Sequence, residues 1–260
     1  MIIRILWLLK QYSNKKLVTS CFLSLSLVLG PVALANDFEG EPSSPDIKTD
    51  GIVVRYNPPS DQKPPEGETG NLGTRGGCEG IEGPPLTALA PRTHIGETVS
   101  THPTLAWFVP ESKPFSITFR LFEYASDSTL QRLGDPIELQ STPGVMKLPL
   151  PKNKPGLAMG KTYLWEVRIR CDVNSPSMDL VTKAEVEVVE IPESLESKLS
   201  STNDSLQRAS AYGEAGLWYN ALSEALVSAE DGKLGEGGSS LLEDLAKLEK
   251  RENEFEGGLE

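Results

Sequence analysis

Hydrophobic and polar residues alternate along two stretches in the middle of the chain, residues 115–121 and 163–171. The apolar positions are Phe115, Ile117, Phe119 and Leu121 in the first stretch, and Tyr163, Trp165, Val167, Ile169 and Cys171 in the second. A period of two is typical of a β-strand that buries one face. The pattern therefore predicts two half-buried strands whose apolar side chains, Cys171 included, face a core.

Shorter apolar runs bounded by turn residues surround these two stretches. They cover residues 86–90, 104–109, 136–139, 145–148 and 186–188. Several short strands separated by turn signals indicate an antiparallel sandwich, and a doubly wound sheet is disfavoured because no strand alternates with a helix. Leu157-x-x-Gly160-x-x-Tyr163 also resembles the tyrosine corner of immunoglobulin and fibronectin III domains. The sequence thus predicts an immunoglobulin/fibronectin III-like antiparallel β-sandwich over residues 78–191.

The hydrophobic period changes after Pro192, where apolar residues recur at helical spacing. Residues 211–222 resemble the centre of a tetratricopeptide repeat, with a glycine turn between two short helices. A stable solenoid needs about three repeats, so a single hairpin must dock on the sandwich, on the following helix or on a partner's helices. The whole chain is therefore predicted to be α+β, with a tetratricopeptide-like hairpin plus one helix over residues 192–254. The candidate partner-binding residues on this hairpin are Trp218, Tyr219, Ala221 and Leu222.

Both ends of the chain differ from this predicted globular part. Residues 1–35 carry bases without acids, then an apolar run, then Ala33-x-Ala35, which predicts a cleaved signal peptide and export to the periplasm, the cell surface or the medium. A membrane anchor is the rival interpretation, but the run is short for a span of about 20 residues. Residues 36–77 are rich in proline and glycine and predict a disordered spacer, and residues 255–260 predict an acidic tail.

The charge balance and the rarity of histidine restrict the chemistry. The 260 residues contain 37 Asp+Glu against 25 Lys+Arg, a formal net charge of −12, and 2 His. Nucleic acid is disfavoured as a partner, because binding it depends on Lys and Arg at the phosphates. Catalytic signatures such as Gly-x-Ser-x-Gly, His-Glu-x-x-His and the Walker loop are missing from the sequence. We therefore expect no catalytic residues, no metal and no cofactor.

Two cysteines remain after the predicted cleavage, Cys78 and Cys171. Export places them in an oxidising compartment, so a Cys78–Cys171 disulfide is the simplest expectation. Free thiols are an alternative. A metal site with His94 and His102 is another, although the spacing of these histidines is wider than usual.

Three classes of function remain open. The first is a non-enzymatic protein-interaction module, an adaptor or structural element, whose partner is an unknown protein, possibly a helical repeat. The second is an envelope glycan-binding sandwich, with Trp107 as a weak stacking candidate that core packing would explain equally. The third is a carboxylate-dependent hydrolase, which would need two carboxyl groups converging in a cleft. The oligomeric state stays open.

An ordered set of short motifs resembles an exported, mostly cyanobacterial family called domain of unknown function 928. The likeness covers about residues 74–248. Its motifs are, in chain order, Thr74-Arg75-Gly76-Gly77-Cys78, Leu86-Thr87-Ala88-Leu89-Ala90-Pro91, Pro103-Thr104-Leu105-Ala106-Trp107-Phe108-Val109-Pro110, Thr142-Pro143-Gly144-Val145, Tyr163-Leu164-Trp165, Cys171-Asp172 and Gly216-Leu217-Trp218-Tyr219-Asn220-Ala221-Leu222. The chain departs from the family where Asn220 replaces a frequent Asp, and where Leu241-Leu242 replaces a tryptophan. The resemblance implies export and architecture, and it implies no activity.

Overall fold

The structure is a computed structural model that describes residues 53–72, 78–81, 83–110 and 113–256. The predicted signal peptide, the first part of the predicted spacer and residues 257–260 of the predicted acidic tail lie outside the described residues. The described strands are β1 (Gly70–Leu72), β2 (Thr87–Ala88), β3 (Gly96–Thr98), β4 (Thr104–Val109), β5 (Ser116–Tyr124), β6 (Leu130–Arg132), β7 (Ile137–Gln140), β8 (Gly144–Pro149), β9 (Thr162–Arg170) and β10 (Leu180–Val188). The α-helices are α1 (Glu193–Ser200), α2 (Ser205–Glu214), α3 (Trp218–Ala225) and α4 (Gly235–Glu256).

The described strands form two sheets. The large sheet has seven strands in the order β1–β10–β9–β5–β6, with β3 also beside β10 and β7 also beside β5. Its pairs are antiparallel except that β3 runs parallel to β10. The small sheet is antiparallel and has the order β2–β4–β8. β6 and β7 both lie along β5, so they form one interrupted edge of the large sheet.

A core of aromatic side chains lies between the two sheets. Trp107 of the small sheet stacks on Phe119 of β5 with ring centroids 6.3 Å apart, and Phe119 stacks on Trp165 of β9 at 6.5 Å. Opposite residues in a ladder share a face, and Phe119 pairs with Val167 while Leu121 pairs with Trp165. The apolar face predicted from the alternation is therefore the face that the core covers.

The helices share this core with the sheets. Trp218 of α3 donates from Nε1 to the carbonyl of Leu89 at 3.0 Å. The Tyr219 hydroxyl donates to the Glu185 carbonyl at 2.6 Å and accepts from Trp165 Nε1 at 2.8 Å. Buried side chains from the strands and from α1 to α4 belong to one hydrophobic cluster. α3 therefore covers one side of the hydrophobic core that the two sheets enclose.

The prediction of an immunoglobulin/fibronectin III-like sandwich followed by a tetratricopeptide-like hairpin is wrong. The chain is a mixed α+β fold with a seven-stranded and a three-stranded sheet, a parallel β3–β10 pair, and helices that pack into the sheet core. Alternation shows which face of a strand is buried, but it does not show which strands pair. The apolar face of α3 likewise shows that this helix packs against something, and here it packs against the core of the same chain.

Residues 53–69, within the predicted spacer, pack against both the helices and the large sheet. Val54 and Tyr56 are buried, the Tyr56 ring meets Trp218 edge-on at 4.9 Å, and Asn57 N donates to the Gly213 carbonyl at 3.0 Å. Further on, Gly67 N donates to the Glu185 carboxylate at 2.8 Å. This order differs from the predicted disorder because the stabilising contacts are long-range, and local composition does not report them.

A disulfide joins Cys78 to Cys171, with their Cα atoms 4.7 Å apart, so this predicted pairing is confirmed. It ties the loop after β1 to the end of β9 across 93 residues of sequence. Within the ranges that the structure describes, no helix is long and apolar enough to cross a membrane.

Candidate functional site

An open groove of about 470 Å³ lies between β5 of the large sheet and the loop after β8. Its floor consists of Phe119 and Leu121 from β5, Tyr163 from β9 and Leu157 from the loop after β8. The rim on the sheet side carries Leu133, which is 39% exposed. The volume falls within the roughly 300–1,000 Å³ that is usual for ligand pockets, and an apolar lining with few polar groups is typical of them.

The local sequence keeps this groove open on both sides. On the sheet side, β6 ends at Arg132 and β7 begins at Ile137, and Leu133 N still donates to the Leu121 carbonyl of β5 at 2.8 Å, so the break between the two edge strands lies over residues 134–136. On the loop side, Leu150 N donates to the Pro103 carbonyl and Leu157 N donates to the Thr101 carbonyl. Gly156 is required there, since a Cβ atom would lie 2.8 Å from Thr101 Cβ. These two hydrogen bonds hold residues 150–157 in place along one side of the groove.

Three polar side chains at the groove, Glu123, Lys161 and Tyr163, are paired with each other or with the backbone, and Asp135 and Lys154 also line it. The Lys161 ammonium forms an ion pair with the Glu123 carboxylate, and this hydrogen bond raises the pKa of Lys161. The Tyr163 hydroxyl accepts a hydrogen bond from Ala158 N at 2.9 Å. These groups therefore fix the shape of the groove and place one charge pair at its rim.

A second cavity of about 490 Å³ lies between β8 and the loop that joins α3 to α4. Lys147 Nζ donates to the Leu226 carbonyl at 3.0 Å, and Val145 N donates to the Gly232 carbonyl at 2.9 Å. The loop thus continues the ladder at the free edge of β8. Charged residues, among them Lys147, Asp231 and Lys233, line this cavity, so it is the more polar of the two.

The structure places the predicted site residues inside the protein. Trp218, Tyr219, Ala221 and Leu222 are at most 1% exposed, and Trp107 is fully buried. A partner helix would have to displace the sheets to contact the first four, and a sugar ring has no access to Trp107. These five residues form the core, whereas the groove residue Leu133, which is 39% exposed, offers accessible apolar surface.

The carboxylates that come together lie away from the groove. Glu97 of β3 and Glu187 of β10 are neighbours in the parallel ladder, and Lys63 donates to both Glu187 oxygens at 2.7 and 2.8 Å. Burial, together with the negative charges of Glu187 and Asp61, raises the pKa of Glu97. In the described part of the chain, no group of three or more His, Cys, Asp or Glu is arranged to hold a metal ion.

Sequence reasoning did not identify the groove, although one signal for it exists. Pro151, Pro155 and Gly156 interrupt the region between two predicted strands, which predicts an irregular loop. The floor residue Leu157 belongs to the tyrosine-corner motif in the sequence, but that motif does not indicate a groove, because the place of Leu157 in the groove depends on Phe119 and Leu121 of β5.

A family model described as Domain of Unknown Function (DUF928) matches residues 70–253. No curated protein matches the chain.

Proposed function

We propose a function for this chain, which belongs to the family described as Domain of Unknown Function (DUF928), from the geometry of its groove. The chain acts as an exported, non-enzymatic protein-interaction module. The groove between β5 and residues 150–157 receives apolar side chains of a partner protein.

The observation that carries this proposal is the open apolar floor of the groove. Phe119, Leu121 and Leu157, which are 2%, 8% and 2% exposed, border an open space of about 470 Å³, and Leu133 at its rim is 39% exposed. Burying a Leu-sized or Phe-sized side chain contributes about 1.5–3 kcal/mol. One or two partner side chains buried in this groove would therefore supply much of the binding free energy, because a few residues at the centre of an interface dominate its affinity.

The paired polar groups support recognition as the role of this site. Lys161 is engaged by Glu123, and the Tyr163 hydroxyl is engaged by Ala158 N. A general acid or base needs access to the proton that it transfers, whereas these groups are held by structural hydrogen bonds. The Lys161–Glu123 pair instead suits the polar rim of a protein interface.

Export is supported by the disulfide and by the leader-like first 35 residues. Disulfides persist in oxidising compartments and are rare in the cytosol. The Cys78–Cys171 bond joins two residues that are 93 positions apart in the sequence.

Peptide selection on residues 36–260 tests the proposal directly. Displayed peptides should be enriched in Phe, Leu or Trp, and nuclear magnetic resonance with a selected peptide should shift the amide signals of Leu133, Leu157 and Ala158. Leu133→Ser should weaken binding about tenfold, which corresponds to about 1.4 kcal/mol.

Val173→Ser is the matched control, because Val173 is a 73% exposed aliphatic residue outside the groove. It should leave the affinity unchanged. Selected peptides that shift no groove amide, or that lose equal affinity with both variants, would refute the groove as the binding site.

A further inference from the structure

The outer face of the large sheet, turned away from the small sheet, carries a group of basic residues. Residues that lie opposite each other in a ladder are on the same face of the sheet. Glu166 of β9 lies opposite Arg120 on one side and Lys183 on the other. On the same face, Phe122 pairs with Arg132 and Ser116 pairs with Arg170. Arg168 lies on the same face, two residues before Arg170. We call this set the cationic face, and its members are Arg120, Arg132, Arg168, Arg170 and Lys183.

The cationic face presents its basic groups to solvent, while the acids that share this face of β9 and β10, Glu166, Glu185 and Glu187, are buried. The side chains of Arg120, Arg168 and Lys183 are 31%, 27% and 22% exposed, whereas that of Glu166 is 6% exposed. Asp179, which pairs with Arg168, is also buried. Glu138 is an exposed acid at the margin on β7 and accepts from Thr118. A molecule approaching this face therefore meets guanidinium and ammonium groups first.

These cations are incompletely neutralised by their protein partners. Glu166 is shared by Arg120 and Arg168 at 3.4 Å each and by Lys183 at 3.7 Å, and the Arg168–Asp179 pair measures 3.5 Å. Strong charge-assisted hydrogen bonds are shorter, about 2.7–2.9 Å. Arg120 Nε is buried and finds no hydrogen-bond partner among the described residues. Three cations that share the carboxylates of Glu166 and Asp179 therefore leave positive charge available to an external anion.

The shape of the face favours a polysaccharide over an acidic peptide. The backbone groups of β5, β9 and β10 are used in the ladders between these strands, so a peptide lying on the face would leave its own N–H and C=O groups without main-chain partners. A sugar chain keeps its outer hydroxyl groups in water. Phe122, half-buried between Arg120 and Arg132, adds a ring against which a sugar could lie.

We propose that the cationic face binds an acidic polysaccharide that carries carboxylate or sulfate groups. The planar guanidinium group of the exposed Arg170 has the geometry to donate two parallel hydrogen bonds to one such oxyanion. The whole chain has a formal net charge of −12, so attraction is local and strongly screened by salt.

Affinity electrophoresis of residues 36–260 in gels that contain a defined polymer tests this proposal. Polygalacturonate or dextran sulfate should retard the protein, neutral dextran should not, and about 1 M salt in a matched binding assay should abolish the interaction. The double variant Arg132→Gln/Arg170→Gln should weaken binding roughly three- to tenfold. Both residues are exposed, so the fold should survive, which a circular dichroism melt confirms.

The control variant Lys152→Gln/Lys198→Gln removes the same charge elsewhere on the surface and should bind like the unaltered protein. Leu133→Ser should also bind normally, which separates this site from the groove. Absence of retardation by both acidic polymers would overturn the proposal. An equal loss in the control variant, or tighter binding of polyglutamate than of polygalacturonate, would also overturn it.

Discussion

At the scale of single residues, the Tyr219 hydroxyl connects a helix to both neighbouring strands of the large sheet. It accepts from Trp165 Nε1 on β9 and donates to the Glu185 carbonyl on β10. Tyr219 is 1% exposed, and burial raises the pKa of its hydroxyl well above the usual range. The group therefore stays protonated and available as a donor.

Tyr219→Phe should lower the free energy of unfolding by about 1–3 kcal/mol, because it leaves a buried indole N–H without its acceptor. Chemical denaturation monitored by tryptophan fluorescence measures this change. Tyr212→Phe is the matched control, since Arg208 reaches the Tyr212 hydroxyl only at 3.5 Å, and it should change stability much less. Equal effects of the two variants would contradict the role assigned to Tyr219.

Glu97 is a residue whose ionisation opposes folding. Its pKa is raised by burial and by Glu187 and Asp61, so the folded chain binds this proton more tightly than the unfolded chain does. Its contribution to stability is therefore fully present below the usual glutamate pKa of about 4.3 and is lost as the pH rises through the raised value.

Glu97→Gln should accordingly raise the melting temperature at pH 7 by roughly 2–4 °C, the shift that about 1 kcal/mol produces in a domain of this size. The gain should vanish at roughly pH 3.5, where the native carboxyl is also protonated. Scanning calorimetry at the two pH values measures it, with the exposed Glu190→Gln as control. A lower melting temperature at pH 7 would show that Glu97 stabilises the folded chain instead.

At the scale of elements, α2 and the segment before β1 approach each other too closely for any side chain. A Cβ atom at Gly213 would collide with the Arg55 carbonyl, and the Gly213 carbonyl accepts from Asn57 N. The segment therefore binds α2 through backbone contacts, which place Tyr56 on Trp218.

Gly213→Ala should destabilise the protein by about 1–3 kcal/mol, the usual effect of overpacking, and should expose residues 53–69 to protease. Limited proteolysis with mass spectrometry locates the new cleavage. Gly238→Ala in α4 meets only ordinary contacts and should be neutral or stabilising, because alanine favours helix. Unchanged cleavage in the Gly213 variant would show that the segment is held by other contacts.

At the scale of the whole molecule, sheets and helices share one hydrophobic core. The buried side chains of β4, β9, β10 and all four α-helices belong to one cluster. The Arg92 side chain also donates to Glu249 of α4 at 2.7 and 3.1 Å, so the last helix holds the loop before β3. Removing the helices would uncover Trp165, Leu89 and the faces of both sheets.

A chain ending at Ile191 should consequently lose cooperative unfolding, whereas residues 36–260 should unfold in a single calorimetric transition. Calorimetry on both proteins measures this directly. Retention of a cooperative transition near the original temperature by the shortened chain would establish that the strands fold without the helices.

Local periodicity was sufficient to locate the central strands and their buried faces, because a strand alternates its side chains whatever lies beside it. It also placed Cys171 inward, and the pairing with Cys78 is confirmed. The helical spacing of apolar residues around Trp218 also predicts a helix with one buried face. Whether that face packs on a partner or on the chain's own core depends on contacts between residues far apart in the sequence.

The tertiary structure alone decided the pairing of β3 with β10, the packing of residues 53–69 and the formation of the groove. Each of these depends on contacts between distant positions, such as Gly67 with Glu185 and Leu157 with Thr101. The cationic face arises in the same way, because Arg120, Arg168 and Lys183 become neighbours only when three strands align in register. Such contacts contribute their free energy only after the chain has closed the loops between them, and for this reason no local pattern reports them.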